Sequence, residues 1–202
     1  VEGYVRQIES SGQLLLTIIN DVLDFAKIEA GKLDIIYSEY NVMQMISDVG
    51  NAVMPRIGNK DIELIMDVNP RIPKMLVGDC VRIKQVLINL ATNAVKFTDS
   101  GTVTIWIDFI KKSDFEITLL ASVQDTGIGI KEEDMGRLFD SFTQLESWKD
   151  RTVEGTGLGL AISKNLVTLM NGNMLVESKY GVGSKFAFQV PQRIAQSSPS
   201  IE

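Results

Sequence analysis

The chain has 202 residues, 45% hydrophobic and 23% charged, with a net charge of −6 and one cysteine, Cys80; this suits one compact domain with an appendage, argues against nonspecific nucleic-acid binding and excludes an intrachain disulfide. There is no histidine, which removes Ser-His-Asp triads, Cys-His dyads and histidine metal sites and leaves carboxylates, amides, lysines, backbone dipoles and a bound cofactor to do any chemistry. No apolar run approaches the roughly 18–20 residues of a membrane span, and Cys80 reads as a small packed residue.

Residues 1–29 read as one helix. Apolar or small residues at Val1, Val5, Ile8, Gly12, Leu15, Ile19, Val22 and Ala26 alternate four and three apart, the seam of a coiled coil or helical bundle. Leu16, Leu23 and Phe25 widen the stripe and favour a bundle. Its partner helix lies upstream, on another subunit, or both, and the exposed stripe predicts self-association. Ala30-Gly31 supplies the stop.

From Lys32 the pattern changes. A strand over 33–40 leads to Asn41, a good N-cap, for a helix to about residue 57, and 62–68 reads as a strand. Pro70 and Pro73 mark a loop. Asp79 then caps a helix with apolar positions at Ile83, Val86, Leu87, Leu90, Ala91, Ala94 and Val95. The runs 102–110 and 115–124 pair as a hairpin. A glycine-rich turn, a short helix from Lys131 and a polar loop over 143–154 follow. The last helix covers 158–170 and ends at Gly172, and 173–178 with 183–190 form a second hairpin. The fold predicted is α+β: a two-layer α/β sandwich, its mixed, mostly antiparallel sheet carrying three helices on one face, preceded by the long bundle-forming helix. The division predicted is 1–31 for that helix, 32–191 for the sandwich and 192–202 for a flexible tail.

Three segments carry chemistry. Asn89 and Asn93 are four apart and Lys96 three further, so the trio shares one helix face. Amide oxygens suit a hard cation such as Mg²⁺, and lysine gives a point charge for phosphate; the same trio also suits the solvated side of an amphipathic helix. Asp125-Thr126-Gly127-Ile128-Gly129-Ile130 ends a strand. Its carboxylate can accept from an exocyclic amine, and Gly127 and Gly129 let backbone approach a flat ring. An ordinary strand-to-helix turn is the alternative, and a dinucleotide fingerprint fails because Glu132 stands where the third glycine belongs. Gly155-Thr156-Gly157-Leu158-Gly159-Leu160 opens the last helix, where free N–H groups and the macrodipole favour a polyphosphate. The preceding loop, with Lys149 and Arg151, reads as a lid or as a plain surface loop. No Walker loop occurs.

Taken in order, N-x-x-x-N-A-x-K-F-T, D-x-G-x-G, L-F-x-x-F and G-T-G-L-G-L resemble the N, G1, F and G2 boxes of the sensor histidine kinases. Residues 17–31 are similar to the second helix of the dimerisation domain of hybrid-type kinases, so the resemblance runs to about Pro191. It implies ATP and Mg²⁺ as cofactors. It assigns Asp125 to the adenine amine with Gly127 and Gly129 beside the ring, Asn93 to Mg²⁺, and Asn89 and Lys96 to phosphates. Gly155, Thr156, Gly157, Leu158 and Gly159 would follow the phosphate chain. Ser184 would sit near the adenine, Arg151 would reach the γ-phosphate, and Phe139 and Phe142 would flank the lid base.

The reaction implied is transfer of the γ-phosphoryl to a histidine on the protein's own dimerisation domain, followed by relay to a response regulator or a fused receiver domain. The full-length protein would be a homodimer, and this part of it cytoplasmic, with no nucleic-acid partner. Gyrase-like ATPases of the same superfamily carry a glutamate where Asn89 stands; an amide cannot act as general base, which favours transfer over hydrolysis. The acceptor histidine is expected upstream of Val1, so the chain as given should not phosphorylate itself. A nucleotide-sensing pseudokinase or scaffold module is the alternative.

Overall fold

The computed structural model describes residues 2–143 and 156–195. Helix α1 (Glu2–Glu29) is closed by a bond from Lys32 N–H to the Lys27 carbonyl at 2.8 Å, with Gly31 at φ 62°, as Ala30-Gly31 predicts. Strand β1 (Ser38–Asn41) is shorter than the strand predicted over 33–40. Only these four residues find a partner strand, and the Ile36 N–H goes instead to Asp79 Oδ2 at 2.9 Å. Asn41 caps α2 (Val42–Ile57) by accepting the Gln44 N–H at 3.0 Å. β2 (Asp61–Val68) and β3 (Met75–Gly78) follow; the sequence reading missed β3. Asp79 caps α3 (Cys80–Phe97) through a 3.0 Å bond from Arg82 N–H.

β4 (Ser100–Lys111) and β5 (Glu116–Asp125) form the first hairpin, and a single turn, α4 (Glu132–Met135), follows the glycine loop. α5 (Gly159–Leu169) leads to the second hairpin, β6 (Asn173–Lys179) and β7 (Gly183–Ile194). The seven strands run β1-β3-β7-β5-β4-β2, with β6 also on β7. β2 and β4 are parallel and the other pairs antiparallel. This is the mixed, mostly antiparallel sheet predicted.

The core lies between one sheet face and the helices α2, α3 and α5. Val103, Ile105 and Ile107 of β4, Ile117, Leu119, Ala121 and Val123 of β5, and Phe186, Phe188 and Val190 of β7 meet Val49 and Val53, Ile83, Leu87 and Leu90, and Leu166 and Val167 from the helices. β7 corrects the predicted end of the sandwich, since it runs past Pro191 to Ile194 and Ala195 is buried. Proline is tolerated there for a geometric reason. Ala195 N–H points to Met75 of β3, and strand alternation turns position 191 the same way. Pro191 therefore lacks its N–H in the gap between β6, which ends opposite Gln189, and β3, which begins opposite Arg193.

α1 keeps Leu15, Leu16, Ile19, Val22 and Leu23 exposed. Its C-terminal end instead grips the sandwich. Asp24 Oδ2 accepts from Arg82 Nη1 at 3.0 Å and Gln85 Nε2 at 2.8 Å, and the Phe25 ring meets Phe142 edge-on at 5.7 Å. Phe25 thus faces the sandwich and not the bundle stripe. No helix of the described residues is long and apolar enough to cross a membrane.

Candidate functional site

On β5, Ile117, Leu119, Ala121 and Val123 form the inward row, and Asp125 continues it. The pleat therefore carries a carboxylate, 7% exposed, into a place patterned for an apolar side chain. Register sets it beside Ser184 of β7. Asp125 Oδ1 accepts the Gly127 N–H at 2.9 Å and the Ser184 N–H at 3.3 Å, while Oδ2 has no hydrogen-bond partner among the described residues. Burial pushes this carboxyl above the ordinary range, and the two N–H groups pull against that shift.

Above Asp125 lies a cleft of ≈ 320 Å³, counting space open to solvent. Asn93, Ala94 and Phe97 of α3 form one wall. Gly129, Ile130, Leu160, Ser184 and Phe186 complete it. The lining is mostly apolar, with three polar side chains to fix orientation.

The loop after Asp125 lies directly on the end of α3. Ile128 N–H donates to the Phe97 carbonyl at 3.2 Å. A Cβ at Gly127 would fall 2.9 Å from the Phe97 carbonyl carbon and 2.8 Å from Thr98 Oγ1, so the approach requires glycine. On its other side the loop is held by the β6–β7 turn, Gly181 N–H donating to the Ile128 carbonyl at 2.7 Å and Ile130 N–H to Ser178 Oγ at 2.8 Å. Ser178 donates its one proton to the Gly183 carbonyl at 3.0 Å, so Ser184 is the donor in the 3.0 Å contact between the two hydroxyls.

Asn89 sits one turn before Asn93, against the first residue of α5. Its Nδ2 donates to Ser163 Oγ at 2.8 Å, and a Cβ at Gly159 would come within 2.5 Å of its Oδ1. Lys96 lies outside the cleft lining; its ammonium rests 5.2 Å from the Phe97 ring centroid, and burial lowers its pKa. The N-cap residue of α5, Leu158, makes no side-chain cap, and the first N–H groups after it have no intrahelical partner. Leu158 itself is a core side chain, 1% exposed.

Thr156 Oγ1 accepts the Leu158 N–H at 3.2 Å and donates to Asp21 of α1 at 3.1 Å. Burial raises the Asp21 carboxyl, the Thr156 bond lowers it, and nearby Asp24 raises it. The Gly157 carbonyl accepts the Phe142 N–H at 3.1 Å. Phe139 packs on the core with Lys164 over its ring at 4.8 Å. Lys149, Arg151 and Gly155 lie outside the described residues.

Asn93, Asp125, Gly129 and Ser184 thus line one cleft, Gly127 joins it through Asp125, and Asn89 and Gly159 meet beside it. Sequence reasoning missed Ser178, Ser163 and Phe186. Each depends on hairpin register or helix docking, which leave no local signal. Among the described residues no group of three histidine, cysteine or carboxylate side chains gathers to hold a metal. A Mg²⁺ here would have the Asn93 amide oxygen as its protein ligand, supplemented by ligand phosphates and water, a set that suits this ion.

A family profile described as histidine kinase-, DNA gyrase B- and HSP90-like ATPase matches residues 78–194. The chain is 46% identical over 184 residues to hybrid signal transduction histidine kinase L of Dictyostelium discoideum, covering 91% of the chain and 11% of that relative. It is 37% identical over 196 residues to the sensor histidine kinase RcsC of Escherichia coli strain K12, covering 97% and 20%. The crystal structure of full-length ShkA in complex with AMPPNP superposes with a TM-score of 0.82 at 32% identity, covering 99% of this chain and 40% of that one. The chain therefore spans a fifth or less of the length of these two curated relatives.

Proposed function

The chain belongs to the histidine kinase-, DNA gyrase B- and HSP90-like ATPase family, as a catalytic domain of the sensor histidine kinases, and we propose that its cleft holds ATP with Mg²⁺ for γ-phosphoryl transfer to a histidine on the dimerisation domain of the full-length protein. The observation that carries this reading is Asp125, a largely buried carboxylate with Oδ1 held by two N–H groups and Oδ2 open to the cleft, at the floor of a mostly apolar pocket. Taking that open oxygen out of water is costly unless the ligand that covers it completes its bonding. An exocyclic amine donating to Oδ2 does so, and the flanking apolar surface of Ile130, Leu160 and Phe186 suits a flat purine.

The phosphates would then run along α3 toward the start of α5. Asn93 would give its amide oxygen to Mg²⁺, the ion that neutralises charge on the transferring group. Asn89, held by Ser163, and Lys96 would contact phosphate oxygens, with the N–H groups of Gly157 and Gly159 at the start of α5 as the opposite seat. Arg151 would meet the γ-phosphate. Transfer breaks the bond between the γ-phosphorus and the bridging oxygen of ADP and forms a phosphorus–nitrogen bond, which needs positioning and charge neutralisation above all. In that role an amide at position 89 supports transfer to protein over activation of water.

The similarity to hybrid kinases supports dimerisation through the stripe on α1 and relay to a receiver aspartate. The test is to supply a histidine-bearing dimerisation domain in trans with labelled ATP. Acid-labile label on that domain is expected, lost when its histidine is replaced. Phosphate release into solution with no labelled acceptor contradicts the reading.

A further inference from the structure

We propose that Lys60 is a positioning residue for the nucleotide cleft, acting through the last turn of α3; the inference rests on the reading of that cleft as an ATP site. The final carbonyls of a helix have no partner within it. At the end of α3 they are satisfied from two directions. Lys60 Nζ donates to the Val95 carbonyl at 2.7 Å, the Lys96 carbonyl at 3.1 Å and the Thr98 carbonyl at 2.8 Å. An ammonium has three protons, and all three are used here. The remaining carbonyl of this group, Phe97, accepts the Ile128 N–H of the glycine loop.

These four peptide units are the ones that matter to the site. Lys96 and Phe97 are carried on them, Phe97 lines the cleft, and the loop holding Gly127 and Gly129 hangs from the Phe97 carbonyl. Lys60 reaches them from outside, from the turn between α2 and β2, where its own N–H is tied to the Ile57 carbonyl at 3.1 Å. A positive charge is favoured at a helix C-terminus, and a single side chain here replaces the glycine cap that Thr98, in extended conformation, does not provide. Without the ammonium, three carbonyls lose their donor, the last turn frays, and the loop anchored on it shifts relative to Asp125.

The experiment compares wild type with Lys60→Met, Lys60→Arg and the milder Lys60→Gln, by amide hydrogen exchange and by titration with ATP and Mg²⁺. Lys60→Met should speed exchange of the Ile128 amide at least about tenfold while Leu119 and Ala121 in β5 keep their protection, and should raise the ATP dissociation constant by about tenfold, the scale of losing charge-assisted hydrogen bonds. Lys60→Arg should recover most of both effects. If Lys60→Met does not fold, Lys60→Gln is read in its place against the same criteria. Unchanged Ile128 protection overturns the proposal, as does loosened Ile128 with wild-type ATP affinity, or a loss of protection shared equally by β5. Wild type binding no adenine nucleotide overturns the ATP reading itself and this inference with it; the wild-type titration alone decides the first, and the variants decide Lys60.

Discussion

Replacing Gly127 by alanine adds a methyl group where the glycine loop presses on the end of α3. The new carbon would lie 2.9 Å from the Phe97 carbonyl carbon and 2.8 Å from Thr98 Oγ1. Comfortable contact is about 3.5–4.0 Å, so loop and helix must part by roughly 0.6–1 Å. Neither neighbour is the free end of a flexible side chain, since one is backbone and Thr98 is wholly buried. The Ile128–Phe97 bond, long already at 3.2 Å, would open past hydrogen-bond length. Overpacking of this kind costs about 1–3 kcal/mol, and the lost bond about 1 kcal/mol more. For a chain of this size each kcal/mol moves Tm by about 2–4 °C, giving an expected fall of about 4–16 °C. Scanning calorimetry reads this, with nucleotide titration alongside, because the Gly127 N–H that orients Asp125 moves with the loop. Gly136→Ala is the control: its Cβ meets nothing within 4 Å at a helical φ of −66°, so stability should stay within about 0.5 kcal/mol. A Gly127→Ala protein with wild-type Tm and wild-type affinity refutes the reasoning.

Asp79→Ala removes the α3 cap and the acceptor of the Ile36 N–H together; urea unfolding should show a loss of about 2–3 kcal/mol, and an unchanged midpoint would count against the double role. Asp24→Ala frees Arg82 and Gln85 from α1, so amides of 21–28 should exchange faster while those of β5 do not. The pH dependence follows from Asp125, whose folded-state pKa lies above its ordinary 3.8. A raised carboxylate penalises the fold while ionised, so that penalty is relieved as pH falls through the raised value. Adenine-nucleotide affinity, which uses the ionised acceptor, should decline over the same window, with a midpoint above 3.8. In Asp125→Asn binding should be weaker and flat with pH; a wild-type profile flat from pH 7 down to 4 would contradict the assignment.

Much of this architecture is written in local signals. Asn41 and Asp79 cap the helices they precede, and the apolar spacing of α3 survives as its buried face. Asp125 was legible as the head of a D-x-G-x-G motif at the end of a strand. What escaped depends on distant partners. β3 is four residues long and exists because β1 and β7 flank it. Residues 33–37 have strand-like composition, yet Asp79 takes the Ile36 N–H that a ladder would need. Lys60 looks like any surface lysine until the end of α3 is folded beside it. Phe25 belongs to a bundle stripe by spacing, and only the docked position of Phe142 shows that it turns inward to the sandwich.

The most direct test of the central claim is calorimetric titration of the chain with ATP and ADP, each with and without Mg²⁺, against Asp125→Ala and Asn93→Ala. The account predicts saturable binding, a loss of about 1.5–3 kcal/mol in Asp125→Ala from the missing charge-assisted hydrogen bond, and an Asn93→Ala defect confined mainly to the Mg²⁺-dependent part. A folded wild-type chain that binds neither nucleotide, or an Asp125→Ala chain that binds both as tightly as wild type, would contradict it.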